Sequence, residues 1–473
     1  MSDPNFAGYA TTVGELKASG YADRSVKEEL RDNLLSRLQS GRPLFPSIVG
    51  FDDSVIPSLE RGILAGHDMV LLGERGQAKT RLIRHMVQLL DEWTPIVAGC
   101  EVNDHPFRPI CARCRGLVAS EGDAVPVEWI GRDRRYAEKL ATPDTSVGDL
   151  IGDVDPVKVA EGRTLGDAET IHFGLVPRTN RGIFCLNELP DLAERIQVSL
   201  LNVLEERDIA VRGYALRLPL DLILVASANP EDYTSRGRII TPLKDRFGAE
   251  IRTHYPQSLS DELALIRQEA QIAADGADPG GALPGHLVEV IARFTRLVRA
   301  SPAVDARSGV SARFAIAAAE SAAASAVRRS ALTGEPTPVV RICDLPPVVT
   351  SLRGKVEFEV SEEGREQEVL EHMLRRATAD TFRARLGSAD LSGLLTLFEG
   401  GGTVETGELV PASDLLSRVG EVTGLAKIMQ RLGMEGSESL GHAAAAVEFA
   451  LEGLYLMRRL AKDEVDGGAV YRT

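Results

Sequence analysis

A glycine-rich loop between an apolar strand and a helix constrains the fold of this chain more than any other sequence feature. The loop follows the apolar run Met69–Leu72 and precedes a helical stretch over residues 81–90. Strand, loop, Lys-Thr pair and helix in this order predict a phosphate-binding loop, because glycines let backbone N–H groups turn toward a phosphate and the helix N-terminus adds its positive dipole end. The loop residues are Gly73, Glu74, Arg75, Gly76, Gln77, Ala78, Lys79 and Thr80.

The same loop predicts where a nucleotide and its metal ion would bind. The Lys79 ammonium is expected at the β- and γ-phosphates of ATP, and the Thr80 hydroxyl is expected to bind Mg²⁺. Ala78 stands where the general motif has its second glycine, and its methyl group predicts a negative φ there. The alternative is a glycine-rich turn in front of an ordinary helix.

A second apolar run, Ile183–Leu186, ends in Asn187 and Glu188. Phosphate-loop ATPases carry a carboxylate pair at this position, the first ordering the magnesium shell and the second activating the attacking water. Glu188 is placed for the second role. Asn187 can accept a hydrogen bond from a magnesium-bound water but brings no charge, which predicts weaker Mg²⁺ binding and, in the extreme, an inactive ATPase. Without the loop, Glu188 would be read as a carboxylate in the first turn of a helix.

Three more polar residues follow in an informative order. Asn229 comes after the strand candidate Leu222–Ser227 and is expected to orient the attacking water, the alternative being an Asn-Pro turn residue. Arg246 lies just past the predicted sheet, where an arginine finger would reach the γ-phosphate of a neighbouring subunit. Arg313 begins an alanine-rich helix and is expected to close over the nucleotide from a lid. Either arginine alone would more commonly be a surface ion-pair residue.

This order of motifs resembles the AAA+ ATPases and, within them, the MoxR-type proteins and the ATPase subunit of magnesium chelatase. Residues 45–50 look like the motif that opens their core, and the Ala-Lys-Thr end of the loop is similar to that of MoxR-type members. Residues 148–177 resemble the hairpin insertion of the chelatase group. The resemblance covers about residues 45–330.

The resemblance implies an α/β fold, in which a phosphate-loop AAA+ core with a parallel sheet and a hairpin insertion precedes a helical lid and a mostly helical C-terminal region. The expected segments are an N-terminal helical appendage, the core, the lid and an acidic C-terminal region, over residues 1–44, 45–256, 257–345 and 346–473. The implied ligands are ATP and Mg²⁺. The implied assembly is a ring of identical subunits, a hexamer in the family, with Arg246 supplied in trans. The implied partner is a protein with a von Willebrand factor A domain or another client protein.

Cysteines cluster between the loop helix and the expected insertion, over residues 100–114. Cys111 and Cys114 form a Cys-x-x-Cys pair, which is half of a structural zinc site, and Cys100 and His105 are the candidates to complete it. Free thiols in a loop, or a redox pair, are the alternatives.

Composition limits the classes of partner. A net charge of −15 disfavours binding to nucleic-acid backbones and to anionic membranes. No apolar run approaches the roughly 18 residues of a membrane span, so membrane insertion is not expected. The start of the sequence lacks the pattern of a signal peptide and cysteines are few, which together predict a cytoplasmic location.

The leading hypothesis is therefore an ATP-driven motor that remodels a partner protein. A nucleotide-binding scaffold in which Asn187 has weakened hydrolysis, a chelatase subunit and a helicase are the alternatives. The acidic charge and an aromatic content of 5% count against the helicase.

Overall fold

Five strands form the sheet that carries the phosphate loop. They are β1 (Met69–Leu72), β4 (Tyr136–Leu140), β7 (Gly182–Asn187), β8 (Leu222–Ala228) and β9 (Ala249–Arg252). Their order is β4-β7-β8-β1-β9, and every neighbouring pair is parallel. All residues of β1, β7 and β8 are buried, as expected for parallel strands covered on both faces. The strands predicted from the three apolar runs are confirmed.

The structure, a computed structural model, comprises two units. The first ends at His254 and the second begins at Tyr255. The described residues are 8–154, 171–205, 218–230, 238–272, 282–305, 309–420, 422–437, 439–465 and 467–473.

The described part of the first unit contains nine α-helices. They are α1 (Val13–Ala18), α2 (Val26–Gln39), α3 (Val55–Leu64), α4 (Lys79–Met86), α5 (Ala112–Glu121), α6 (Val147–Leu150), α7 (Leu175–Arg178), α8 (Glu194–Glu205) and α9 (Thr241–Arg246). Helix α2 begins with the capping box that Ser25 and Glu28 predict. Its Leu30 and Leu34 share a hydrophobic cluster with Leu71 of β1. The N-terminal helix is therefore part of the core of this unit.

Two antiparallel strand pairs lie outside the main sheet. Strand β2 (Trp93–Val97) pairs with β3 (Val127–Gly131), and β5 (Gly152–Val154) pairs with β6 (Ile171–Phe173). The second pair falls within the hairpin insertion expected over residues 148–177. Residues 155–170 of that insertion lie outside the described residues.

A buried ion pair attaches α2 to the sheet. The guanidinium of Arg135, directly before β4, donates from Nη2 to Glu29 Oε2 at 2.5 Å, and both side chains are buried. Arg135 also donates to Thr94 Oγ1 (2.6 Å) and to the carbonyl of Arg181 (2.7 Å). A buried charge is tolerated only when it is paired and hydrogen-bonded, so this pair orients α2 against the sheet.

The second unit is mostly helical. Its described helices are α10 (Leu259–Glu269), α11 (Gly285–Arg299), α12 (Ala312–Thr333), α13 (Pro346–Leu352), α14 (Glu366–Leu386), α15 (Ser392–Leu395), α16 (Ala412–Val419), α17 (Leu425–Arg431) and α18 (Leu440–Leu456). Phe314 of α12 and Phe449 of α18 belong to one hydrophobic cluster. Residues on both sides of position 345 thus share a single core.

The C-terminal region also contains a three-stranded antiparallel sheet that the sequence did not predict. Its strands are β10 (Val404–Gly407), β11 (Ala461–Val465) and β12 (Gly468–Arg472), in the order β10-β12-β11. The sequence predicts a closing helix over residues 443–462, and the structure corrects this, because the helix ends at Leu456 and Arg458 turns the chain with a φ of 58°. Strand β11 is half exposed and rich in charge, so it lacks the alternating apolar signal of a strand.

Within the described part of the chain, no helix combines the length and the apolar character that crossing a membrane requires.

Glu29→Ala is expected to lower the free energy of unfolding of the first unit by about 3–5 kcal/mol, because it leaves the Arg135 charge buried without its partner. Urea unfolding followed by circular dichroism measures the change. Lys17→Ala is the matched control, since Lys17 and Asp123 form an ion pair in which both side chains are more than half exposed, and a change below about 1 kcal/mol is expected. Equal losses in the two variants would contradict the prediction.

Candidate functional site

The phosphate loop is closed against the end of β9. Gly73 N donates to the Ala228 carbonyl at 3.1 Å, and Thr253 Oγ1 donates to Gln77 Oε1 at 2.8 Å. A Cβ atom added at Gly73 would lie 1.9 Å from Thr253 Oγ1 and 2.3 Å from Gln77 Oε1. A glycine is therefore required at position 73 for the loop to pack this closely.

Ala78 adopts a conformation opposite to the one expected. Its φ is 56° and its ψ is 17°, in the left-handed region, so the prediction of a negative φ is wrong. For an L-residue with a Cβ atom this conformation costs roughly 1–2 kcal/mol. The physical reason is the sharp change of direction directly before α4, which begins at the next residue. The loop therefore has the turn of the general motif, with Ala78 in a strained backbone conformation.

Lys79 and Thr80 open helix α4 at the carboxyl edge of the sheet. Lys79 is buried, and its ammonium donates to the carbonyls of Gly73 and Glu74, the latter at 2.9 Å. Thr80 Oγ1 donates to Asn187 Oδ1 at 3.2 Å. The loop and the end of β7, which are 107 residues apart in sequence, are thus joined by a side-chain hydrogen bond.

Glu188 follows β7 in a strained backbone conformation. Its φ is 53° and its ψ is 49°, and its N–H donates to Ser227 Oγ at 3.3 Å. Left-handed residues other than glycine cluster at functional sites, where the surrounding structure holds them in place. Here the strand end and Ser227 direct the Glu188 backbone away from the line of β7.

Sequence reasoning missed Glu138, whose carboxylate lies beside Asn187. Glu138 Oε1 accepts from Asn187 Nδ2 at 3.0 Å, and Arg84 of α4 donates to both carboxylate oxygens at 2.8 Å. Arg84 is the main cause that holds the pKa of Glu138 below its usual range, with the Tyr136 hydroxyl contributing. Residues 136–140 are only partly buried and mixed in polarity, so periodicity does not mark them as a strand.

The remaining predicted residues are Asn229, Arg246 and Arg313. Asn229 directly follows β8 and is buried. Arg246 ends α9 and pairs with Glu205 of α8 at 3.0 Å. Arg313 lies in the first turn of α12, in the second unit, with its side chain exposed and its N–H donating to Ser311 Oγ at 3.2 Å.

Three of the predicted cysteines come together, with one change of partner. The ligand atoms of four buried residues lie within 4.8 Å of one another; these residues are Cys100, Asp104, Cys111 and Cys114. His105 is not in this group, which corrects the expected set. Its Nδ1 accepts from the Phe107 N–H at 3.1 Å and its Nε2 lies 3.2 Å from Asp23.

The side chain that replaces His105 in this group is held by the backbone. Asp104 accepts from the N–H groups of Ile110 and Cys111 at 3.2 and 3.0 Å. Burial raises the pKa of Asp104 to about 7. Because adjacent side chains in a sharply turning loop point in different directions, the choice between residues 104 and 105 depends on the path of the backbone. Spacing in the sequence does not reveal it.

Comparisons with known proteins find one family match and a set of curated and structural relatives. Residues 161–245 match the family described as the sigma-54 interaction domain. The magnesium-chelatase 38 kDa subunit of Acidiphilium rubrum is 28% identical over 219 residues, which are 44% of this chain and 57% of that protein. The magnesium-chelatase 38 kDa subunit of Rhodobacter capsulatus is 28% identical over 249 residues, which are 50% of this chain and 63% of that protein. The chain therefore spans 57% to 63% of the length of these two curated relatives.

Among solved structures, the complex between the BchI and BchD subunits of magnesium chelatase is similar at 21% identity and a TM-score of 0.34, covering 69% of this chain and 98% of that chain. NtrX from Brucella abortus is similar at 14% identity and a TM-score of 0.40, covering 75% of this chain and 68% of that chain.

Gly73→Ala is expected to weaken nucleotide binding at least about tenfold, because the added methyl group collides with the Thr253 and Gln77 side chains and displaces the loop. Titration with a fluorescent ATP analogue measures the affinity. Gly116→Ala is the matched control, since a Cβ atom at this exposed position in α5 meets nothing within 4 Å. Unchanged affinity in Gly73→Ala would show that the loop does not form the binding site.

Proposed function

We propose that this chain, an AAA+ protein related to the magnesium-chelatase I subunits and to MoxR-like ATPases, binds ATP with Mg²⁺ and hydrolyses it between the subunits of a ring. The energy would be used to remodel or activate a partner protein. One observation carries the proposal: Thr80 of the phosphate loop contacts Asn187 at 3.2 Å, and Glu188 is the next residue. In this arrangement the Thr80 hydroxyl can bind Mg²⁺ while the Glu188 carboxylate acts as a base for the water that attacks the γ-phosphate.

Each residue of this edge has a proposed role. Lys79 neutralises the β- and γ-phosphates, and Thr80 binds Mg²⁺, with Asn187 ordering its water ligands. Glu188 accepts a proton from the water that attacks the γ-phosphorus, and Asn229 orients that water. The fit rests on chemistry present in the site, since a buried ammonium and a helix N-terminus both favour anionic ligands.

The two arginines are proposed to act on the nucleotide of an assembled ring. Arg246 would exchange its ion pair with Glu205 for the γ-phosphate bound by the neighbouring subunit. Arg313 would reach the nucleotide from the helical lid of residues 257–345. A hexamer is the proposed ring. A protein with a von Willebrand factor A domain is the proposed client, in the cytoplasm.

Two alternatives have specific support. Asn187 carries no charge, which favours a nucleotide-gated assembly scaffold with weak hydrolysis. The curated relatives are named magnesium-chelatase subunits, which favours an ATPase subunit of a chelatase. The motor remains the leading proposal, because Glu188 retains the base that a pure scaffold would not need.

We also propose that Cys100, Asp104, Cys111 and Cys114 hold a structural Zn²⁺. Three thiolates and a carboxylate are ligands that zinc accepts in tetrahedral sites. Their ligand atoms already lie within 4.8 Å of one another. Backbone N–H groups donate to Asp104 at two points, and carboxylates that bind a metal ion are usually hydrogen-bonded in this way. The metal would tie the loop after β2 to the start of α5.

The steady-state ATPase activity per mole of protein is expected to rise as the protein concentration is raised, because a neighbouring subunit completes the site. Glu188→Gln and Arg246→Ala are each expected to lower the turnover number at least about a hundredfold while ATP binding persists. A coupled ADP-release assay over a range of protein concentrations measures this.

Arg134→Ala is the matched control for Arg246, since Arg134 is an exposed arginine of the same unit that pairs with Glu128 at 2.8 Å. Turnover that survives both test substitutions would refute the motor. ATP binding by the unaltered chain without measurable turnover would favour the scaffold.

The zinc proposal predicts about one zinc per chain by metal analysis, lost in Cys114→Ser and Asp104→Asn and kept in His105→Ala. A thiol-reactivity assay before and after chelation, with thermal melting, provides readouts that do not depend on activity. Cys343→Ala is the control for a cysteine outside the group. Loss of zinc in His105→Ala, with retention in Asp104→Asn, would restore the histidine set.

A further inference from the structure

Glu138 of β4 holds the Asn187 amide in one orientation. Its Oε1 accepts from Asn187 Nδ2 at 3.0 Å, whereas Asn187 Oδ1 accepts from the hydroxyls of Thr80 (3.2 Å) and Ser227 (3.1 Å). A carboxylate can only accept hydrogen bonds, so the amide nitrogen must face Glu138. Consequently the amide oxygen must face Thr80, the residue proposed to bind Mg²⁺.

The Glu138 carboxylate is fixed by the loop helix. Arg84, on the same helix as Thr80, donates from Nε and Nη2 at 2.8 Å each, and the Tyr136 hydroxyl donates at 2.8 Å. One chain of hydrogen bonds therefore runs from α4 through β4 to the end of β7. These contacts favour an anionic side chain at position 138. They favour a neutral side chain at position 187 that both donates and accepts hydrogen bonds.

An aspartate at position 187 would not fit this surrounding. It would place a carboxylate oxygen where Asn187 Nδ2 lies, 3.0 Å from Glu138 Oε1. Two carboxylates at such a distance repel, and one of them must bind a proton or move away. The acid that phosphate-loop ATPases carry at the end of this strand is thus matched here by an acid on the neighbouring strand.

We propose that Glu138 is a positioning residue for the nucleotide site, and that Glu138 and Asn187 together replace the single acid expected at position 187. Glu138 acts through the Asn187 amide, whose oxygen it keeps directed at Thr80. This inference rests on the proposed binding of ATP with Mg²⁺ and identifies how the site works without the usual charge.

The test compares the unaltered chain, Asn187→Asp, Glu138→Gln and the double variant. The readout is the ratio of the affinities for a fluorescent ATP analogue in Mg²⁺ and in EDTA, which isolates the part of binding that depends on the metal. Asn187→Asp is expected to lower this ratio about tenfold through carboxylate repulsion. Adding Glu138→Gln is expected to restore it to within about threefold, because the introduced carboxamide can donate to the introduced carboxylate. In the unaltered background, Glu138→Gln is expected to lower the ratio.

Glu128→Gln is the matched control. Glu128 lies on β3 and is also held by an arginine, Arg134 at 2.8 Å, so its substitution is expected to leave the ratio unchanged in both backgrounds. An Asn187→Asp chain that unfolds while the double variant folds would be the same rescue, seen by thermal melting, and would support the proposal.

The same effect of Glu138→Gln in both backgrounds, or a higher ratio in Asn187→Asp alone, would overturn the pairing of the two residues. An unaltered chain that binds no analogue would instead overturn the proposed function and this inference with it.

Discussion

Parallel pairing of β1 between β8 and β9 is the constraint on which the candidate site depends. Leu72 lies opposite Ala228 and Arg252 in these pairings, so the ends of three strands meet at one edge. In parallel α/β sheets, ligands bind outside this carboxyl edge. The phosphate loop, Asn187 and Asn229 come from distant parts of the sequence, and the strand order alone is enough to bring them to the same edge of the first unit.

Two of the five described non-glycine residues with a positive φ lie at that edge. Ala78 and Glu188 both adopt left-handed conformations, which cost free energy for residues with a Cβ atom. Ala78 directly precedes helix α4, and Glu188 directly follows the buried strand β7. The burial of the sheet supplies the stabilisation that holds both residues in place, and the strain directs the loop backbone and the Glu188 backbone out of the regular elements.

Charge at this edge is distributed over two strands. Asn187 is neutral, and its amide donates to the carboxylate of Glu138, which pairs with Arg84. Sequence reasoning treats Asn187 as a lost charge, because it compares one position with a motif. The structure shows a hydrogen-bonded network in which the Asn187 amide is joined to the Glu138 carboxylate. The members of such a network are energetically coupled, so a change in one affects the others.

The sequence by itself determined the buried strands, the phosphate loop and the position of Glu188, because continuous apolar runs of strand length and glycine-rich turns are strong local signals. Only the tertiary structure decided that Glu138 faces Asn187, that Asp104 and not His105 joins the cysteines, and that Ala78 is left-handed. The contact of Glu138 depends on which strands are neighbours, and the choice of Asp104 depends on the path of a loop. Neither can be predicted from the hydrophobic periodicity of the sequence. Ala78 departs from its predicted conformation because the intrinsic preference of a residue is weaker than the geometry of the strand and helix that it must connect.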